Sequence, residues 1–283
     1  MTERAGQKKG VREFFDSSPG WRGDFYREPD DPFGQLLVRR KRHVMTLLRR
    51  HIDPSHGLVF DAGCGPGEYL AAMAREGARV YGMDASEEML RAAAVSVAGS
   101  SDPGSGPPIV RGDIERLPFR AGRFSAALCI GVLGYLESDR PALSELHTLL
   151  ESGGYLLVNV RNLNALTSFH YTGRLKLRYL RREGWKRLRS AVSLPTHGEQ
   201  RGWKSRAYNL RKFERVIRDS GFERVEAVTF GYELKVLSLL GVRGTLRVRI
   251  EILVENIMMA LPFGAGRYAG WGYIGVFRKV PRA

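Results

Sequence analysis

Three glycines at alternate positions, Gly63, Gly65 and Gly67, follow the run Val59-Phe60-Asp61-Ala62, and Tyr69 to Arg75 beyond them reads as a helix. An apolar segment ending in an acid, then a glycine turn, then a helix, constrains this part of the chain to a strand–loop–helix unit. Glycines there let the backbone turn sharply and lie against a ligand with no Cβ in between. A dinucleotide cradle would need G-x-G-x-x-G, with its third glycine three residues after the second. Glu68 holds that position and Pro66 lies inside the loop, so a pyrophosphate site is poorly supported.

Strand and helix signals alternate from this loop onward. Strands are expected near 57–61, 79–83, 108–111, 124–130 and 154–160, with two more near 223–230 and 271–279. Such alternation predicts an α/β fold, a parallel sheet covered by helices on both faces. The helix of Tyr208 to Ser220 ends at Gly221, a C-terminal signal. With 283 residues, the chain divides into an N-terminal lid and helices at 1–53, a ligand-binding core at 54–160, a basic cap insertion at 161–207, and the rest of the core at 208–283. The last part carries an insertion at 231–270. Within it Leu246, Ile250, Leu253, Val254, Ile257 and Leu261 recur at helical spacing. That stripe is expected to pack on its own domain, with a dimer surface or a wall for an apolar acceptor as the other readings.

The second expected strand, Arg79-Val80-Tyr81-Gly82-Met83-Asp84, ends in an acid that can accept both ribose hydroxyls of a nucleoside. Asp84-Ala85-Ser86-Glu87-Glu88-Met89-Leu90 follows, with Ser86 placed to cap the next helix. Then come Arg111-Gly112-Asp113-Ile114-Glu115-Arg116-Leu117-Pro118-Phe119 and Leu149-Leu150-Glu151-Ser152-Gly153-Gly154-Tyr155-Leu156. Together with the glycine loop, these segments resemble, in the same order, D-x-G-x-G-x-G, D-x-S-x-x-M-L, G-D-[AI]-x-x-L-P-F and L-K-P-G-G-x-L of class I S-adenosylmethionine-dependent methyltransferases. The similarity is to the small-molecule branch, the ubiquinone-type or "methyltransferase type 11" enzymes, and is strong over roughly residues 55–160.

The resemblance implies a doubly wound, seven-stranded, mostly parallel Rossmann-like sheet with helical cap insertions, the final strand antiparallel between the fifth and sixth. It implies S-adenosyl-L-methionine as cofactor. Asp61, Ala62, Gly63, Gly65 and Gly67 would form the cofactor loop, Asp84, Ala85 and Met89 the ribose side, and Asp113 with Ile114 the adenine contact. Cys129 and Ile130 would lie at the exit of the fourth strand. Cys64 and Cys129 read as small fillers beside the cofactor. Neither has a second Cys or paired His at metal spacing, and no metal is expected. The segment Val11-Arg12-Glu13-Phe14-Phe15, with Trp21 and Tyr26, resembles the aromatic lid of this group and of magnesium-protoporphyrin O-methyltransferases. Phe15, Trp21 and Tyr26 would shield the sulfonium with their ring faces. Arg39, in Val38-Arg39-Arg40-Lys41-Arg42-His43, would offer a guanidinium to the cofactor's carboxylate.

The acceptor is less legible. The family often has L-x-H-L after the fourth strand, whereas this chain has Leu133-Gly134-Tyr135-Leu136, so the expected histidine base is absent. Tyr135 and His170 are left as catalytic candidates; His197 also lies in the basic segment, and His147 falls at a structural helix position. Enzymes that methylate exocyclic base amines carry N/D-P-P-Y/F here. Cys129-Ile130-Gly131-Val132-Leu133-Gly134-Tyr135 has no such motif, which makes nucleic acid an improbable partner. The function expected is methyl transfer to a small or lipid-linked acceptor, O-methylation favoured. A soluble aromatic natural product is the second acceptor class, and a non-catalytic cofactor-binding subunit the contrasting reading.

Charge adds a location. The formal net charge is +15, and Tyr171 to Arg218 holds fifteen Lys and Arg against three Glu. Leu177, Leu180, Gly184, Trp185 and Leu188 share one face of a helical register there, so a basic amphipathic helix at an anionic membrane is one reading and a solvated basic face the other. Two cysteines, no signal peptide and no apolar stretch near 18 residues lead to the expectation of a cytoplasmic protein, with peripheral membrane contact as an option. Oligomeric state is not readable.

Overall fold

The computed structural model describes residues 2–18, 26, 32–53, 57–98, 106–163, 165, 205–232, 244–260 and 270–281. In chain order these form α1 (Thr2–Ser17), α2 (Pro32–His51), β1 (Val59–Ala62), α3 (Glu68–Arg75), β2 (Val80–Asp84), α4 (Glu87–Ala98), β3 (Ile109–Arg111) and β4 (Phe124–Ile130). A 3-10 turn (Leu133–Tyr135) leads to α5 (Arg140–Leu149), β5 (Leu150–Arg161), α6 (Leu210–Asp219), β6 (Phe222–Phe230), α7 (Gly244–Ala260) and β7 (Gly272–Lys279). The seven strands make one sheet in the order β3-β2-β1-β4-β5-β7-β6. β1 runs parallel to β2 and β4, and β5 parallel to β4. β7 slots antiparallel between β5 and β6, as the resemblance implied.

Strand order reverses between β1 and β4. In an open α/β sheet this is where the loops at the carboxyl ends diverge and leave a crevice. Both faces of the sheet are covered. In β4, Phe124, Ala127 and Cys129 join one cluster with Leu143 and Leu146 of α5 and Phe213 and Ile217 of α6. Ala126, Leu128 and Ile130 join the opposite cluster with Val44 and Leu48 of α2 and Leu70 and Met73 of α3. A strand buried on both sides reads as continuous hydrophobicity rather than alternation, which is why Phe124–Ile130 was legible. β5 extends further than the expected 154–160 because Leu150 pairs with Phe124 ahead of a register shift. α6 is capped by Asn209, whose side chain accepts from the Lys212 amide at 3.2 Å.

The apolar stripe of α7 behaves differently from expectation. Leu246, Leu253 and Ile257 are more than half exposed, while Glu251 and Glu255 are 4% exposed. The cause lies across the interface. Arg39 and His43, four residues apart on α2, face Glu251 and Glu255, four residues apart on α7. Arg39 contacts Glu251 at 3.6 Å and Glu255 at 3.7 Å, and His43 Nε2 lies 2.6 Å from Glu255 Oε1. The Gly231 amide donates to the second Glu255 oxygen at 3.0 Å. Buried carboxylates need such partners, and α2 and the Gly231 amide supply them on the face of α7 that carries Glu251 and Glu255, leaving Leu246, Leu253 and Ile257 outside. Leu261 lies outside the described residues.

Candidate functional site

The carboxyl ends of β1, β2, β4 and β5, with α1 and α2 above them, enclose a cleft of about 940 Å³. Its floor is the glycine loop, and each of the three glycines has its own reason. A Cβ on Gly67, at φ +82°, would stand 2.9 Å from the Ala93 Cα, so this glycine lets α3 pack on α4. One on Gly63, at φ +80°, would meet the Val132 side chain at 2.3 Å. Gly65, at φ +53°, has nothing within 4 Å of that position: the missing side chain leaves open space in the cleft. Asp84 closes the loop from the tip of β2. Its Oδ2 accepts from the Gly65 amide and its Oδ1 from the Ser86 amide, both at 2.9 Å. Burial raises the Asp84 carboxyl above the ordinary range, against the pull of those amides.

Gly63, Gly65, Asp84, Ala85 and Met89 line the cleft, as do Asp113, Ile114 and Ile130. Asp61, Ala62 and Cys129 lie beneath it, fully buried. Burial pushes the Asp61 carboxyl up to about 7, with the Asp84 charge adding and Arg40 opposing. Its Oδ2 has no hydrogen-bond partner. The two thiols, Cys64 and Cys129, are free, buried and raised by that burial, which keeps them unreactive.

Arg39 does not reach this cleft; it belongs to the ion cluster with α7. Its neighbour Arg40 does, because it shares the helical face of Leu37, also a lining residue, and of Val44. The Arg40 guanidinium donates to the Tyr26 hydroxyl at 2.7 Å and approaches Gly131 beyond β4. The Arg40 Nε is buried without a hydrogen-bond partner, and the Tyr69 hydroxyl is buried beside the Arg40 guanidinium. Sequence reasoning missed both, although the 3–4 spacing of Leu37, Arg40 and Val44 was available as a signal.

Residues of α1 line the mouth of the cleft. Phe15 of α1 meets Tyr135 edge-on at 5.3 Å between ring centroids, and Gln7 donates to the Tyr135 carbonyl at 2.9 Å. At the other side of the mouth, Asp16 accepts from the Ser86 hydroxyl at 2.6 Å. Lys8 pairs with Asp113 at 2.5 Å and with Glu115. Asp113 therefore has both oxygens in use, since its Oδ1 accepts from the Glu115 amide at 3.0 Å. Burial alone would raise that carboxyl, but Lys8 and the amide bring it below its usual value. Trp21, His170 and His197, and the Leu177–Leu188 stretch, lie outside the described residues. His147 Nε2 donates to the Val280 carbonyl at 3.0 Å and its ring meets Phe222 edge-on, a structural position.

Comparison with known proteins agrees with this geometry. The "Methyltransferase domain" family model matches residues 60–158. A demethylmenaquinone methyltransferase of Thermobifida fusca is 36% identical over 125 residues, covering 44% of this chain and 52% of that protein. A malonyl-[acyl-carrier protein] O-methyltransferase of Hamiltonella defensa is 28% identical over 134 residues, 47% of this chain and 49% of that protein. The chain thus spans about half the length of these curated relatives. The crystal structure of a magnesium protoporphyrin IX methyltransferase from Synechocystis PCC 6803 with bound SAH superposes with a TM-score of 0.62 at 17% identity, covering 96% of this chain and 99% of that one. Motifs, strand order and the crevice where that order reverses agree: residues 60–158 match the methyltransferase domain family, within a fold like that of class I S-adenosylmethionine-dependent methyltransferases.

Proposed function

We propose that the chain transfers a methyl group from S-adenosylmethionine to a small-molecule acceptor, with an oxygen the favoured atom. The observation that carries this reading is the division of the cleft into places of matching chemistry. Asp84 offers a charged acceptor to a ribose beside the open space at Gly65. Beneath the floor, the unpartnered Asp61 Oδ2 gives an ammonium a negative charge to lie over, and the buried Arg40 and Tyr69 that line the cleft suit a carboxylate. An amino-acid zwitterion joined to a nucleoside is the ligand that answers all of them. Met83 and Ile114 supply apolar surface for the base.

When bound, the cofactor supplies a methyl group already activated on a sulfonium. The residues of the chain hold and orient it, and α1 with Phe15 and Tyr135 keeps water out of the cleft. The names of the two relatives support an acceptor of quinone or acyl type, one of them explicitly an O-methyltransferase. The excess of basic residues supports a lipid-linked acceptor at an anionic surface, although among the described residues no helix is long and apolar enough to cross a membrane. Labelled methyl transfer to a panel of acceptors, with and without anionic liposomes, tests the reading. Transfer to a member of the panel is the expected result. Binding of NAD in preference to S-adenosylhomocysteine would overturn it.

The glycines give a second test. Gly67→Ala should lower stability by about 2–4 kcal/mol, since a Cβ there meets backbone at a left-handed φ. Gly65→Ala should cost stability only about 1 kcal/mol, yet impair S-adenosylhomocysteine binding, because its methyl fills cofactor space. Equal ligand affinity in Gly65→Ala and the parent, measured by calorimetry, would remove the cofactor from that space.

A further inference from the structure

Beyond the cofactor loop, the cleft continues along the sheet to the end of β5, where Arg161 lines it. β5 is three strands from β2, so Arg161 stands roughly 14 Å along the sheet from Asp84. The ribose, methionine and acceptor places thus follow the strand order β2, β1–β4 and β4–β5. The cations of the cleft differ in what they face. Lys8 is paired with Asp113, Lys9 with Glu13 at 3.8 Å, Arg111 with Glu87 at 3.1 Å, and Arg206 with Asp139 at 2.5 Å. Arg40 faces the Asp61 charge, and Arg12 is exposed to solvent.

Arg161 is the exception. Its guanidinium donates to the Ser205 carbonyl at 3.2 Å, and among the described residues no carboxylate pairs with it. Burial presses against its charge, with the Tyr135 hydroxyl the opposing influence. A half-buried guanidinium facing a cleft without a counter-charge is costly by itself and is an anion site when filled. The described lining also holds no histidine, and its acids are Glu68, Asp84 and Asp113. Glu68 is bound to Lys41 at 2.6 Å, and the other two belong to the cofactor end. The hydroxyl beside Arg161 is that of Tyr135, which burial pushes above its ordinary value and so keeps protonated at neutral pH, and no carboxylate or histidine stands beside it among the described lining residues.

We propose that the acceptor is an organic carboxylate held by Arg161, and that this carboxylate is the group methylated, giving a methyl ester. The assignment rests on the methyltransferase reading above and names its substrate class. One carboxylate oxygen forms a bond to the transferred carbon as the sulfur–carbon bond breaks, its electron pair returning to sulfur. The negative carboxylate and the positive sulfonium cancel, and no proton is released. A carboxylate is ionised at neutral pH, so its methylation needs no base. A bidentate guanidinium suits its planar fork. The net charge of +15 raises the local concentration of anionic acceptors, and Phe14, Phe15, Leu136 and Trp271 give an apolar body a place to lie.

The test uses the full chain saturated with S-adenosylhomocysteine and two matched pairs of probes, octanoate with octanamide and benzoate with benzamide. Calorimetry should show the acid of at least one pair bound about 10- to 100-fold more tightly than its amide. Arg161→Gln should erase that preference, with S-adenosylhomocysteine affinity within about twofold of the parent, and Arg161→Lys should keep part of it. In a second arm, label transferred from S-adenosylmethionine to a panel of carboxylic acids should be lost as methanol on mild alkaline treatment, and transfer should release no proton in a weakly buffered indicator solution. Equal binding or no binding of acid and amide in both pairs, preference retained in Arg161→Gln, or alkali-stable label would each overturn the carboxylate assignment while leaving the methyltransferase reading standing. Failure to bind S-adenosylhomocysteine at all would instead strike that earlier reading.

Discussion

Asp84→Ala is expected to weaken S-adenosylhomocysteine binding by about 10- to 150-fold, the equivalent of 1.5–3 kcal/mol for hydrogen bonds to a charged acceptor. The carboxylate stands at the tip of β2 and is the only acidic side chain tied directly to the glycine loop among the described residues, through the Gly65 amide. Burial already makes its charge expensive, so ribose hydroxyls donating to it would relieve a strain that the ligand-free chain carries. Alanine loses the ribose acceptor and also leaves the Gly65 and Ser86 amides without their partner. Asp84→Asn separates the two losses. It keeps an oxygen for one amide and removes the charge, so its effect should lie near the lower end of the range. Calorimetry on variants whose circular dichroism matches the parent measures this. An affinity within twofold of the parent in Asp84→Ala would place the ribose elsewhere.

The glycine-loop half of the cleft was legible because its geometry is local in sequence. A glycine turn between strand and helix, and an acid one strand later, fix backbone positions within about twenty-five residues, Asp61 to Asp84. What depends on facing elements was not legible. Arg39 and Arg40 differ by one residue, but a helix turns about 100° per residue, so one meets α7 and the other the cleft. The stripe from Leu246 to Ile257 has good helical period, yet its burial was decided by cations on α2 some two hundred residues away. Asp113 has the motif position of an adenine contact, while its use by Lys8 depends on where α1 lies. In a chain with 45 Lys and Arg, Arg161 carries no distinguishing mark until the partners of the other cations are seen.

Asp61 leads to the other large effect, in which stability and binding move in opposite directions. Its carboxyl is buried and raised to about 7 from the ordinary 3.8. Between those values the folded chain keeps a proton that the unfolded chain has released, so unfolding releases a proton. The ligand-free protein should therefore lose stability as pH rises through this window and level off above it. Three units correspond to about 4 kcal/mol at most. Asp61→Asn cannot lose a proton. It should be more stable than the parent at pH 8, by about 2–4 kcal/mol, with the advantage gone below pH 4. The same substitution should weaken S-adenosylhomocysteine at least about tenfold, since the ligand's ammonium loses a buried negative partner. In the parent, the ligand should lower the Asp61 pKa, so binding near pH 6 should release protons and its measured heat should depend on the buffer's ionisation enthalpy. Urea unfolding from pH 4 to 8 and calorimetry in two buffers check both halves. A less stable Asp61→Asn variant at pH 8 would show that the carboxylate supports the loop rather than straining it. Unchanged ligand affinity in a variant that is stabilised would mean that the ammonium is held elsewhere.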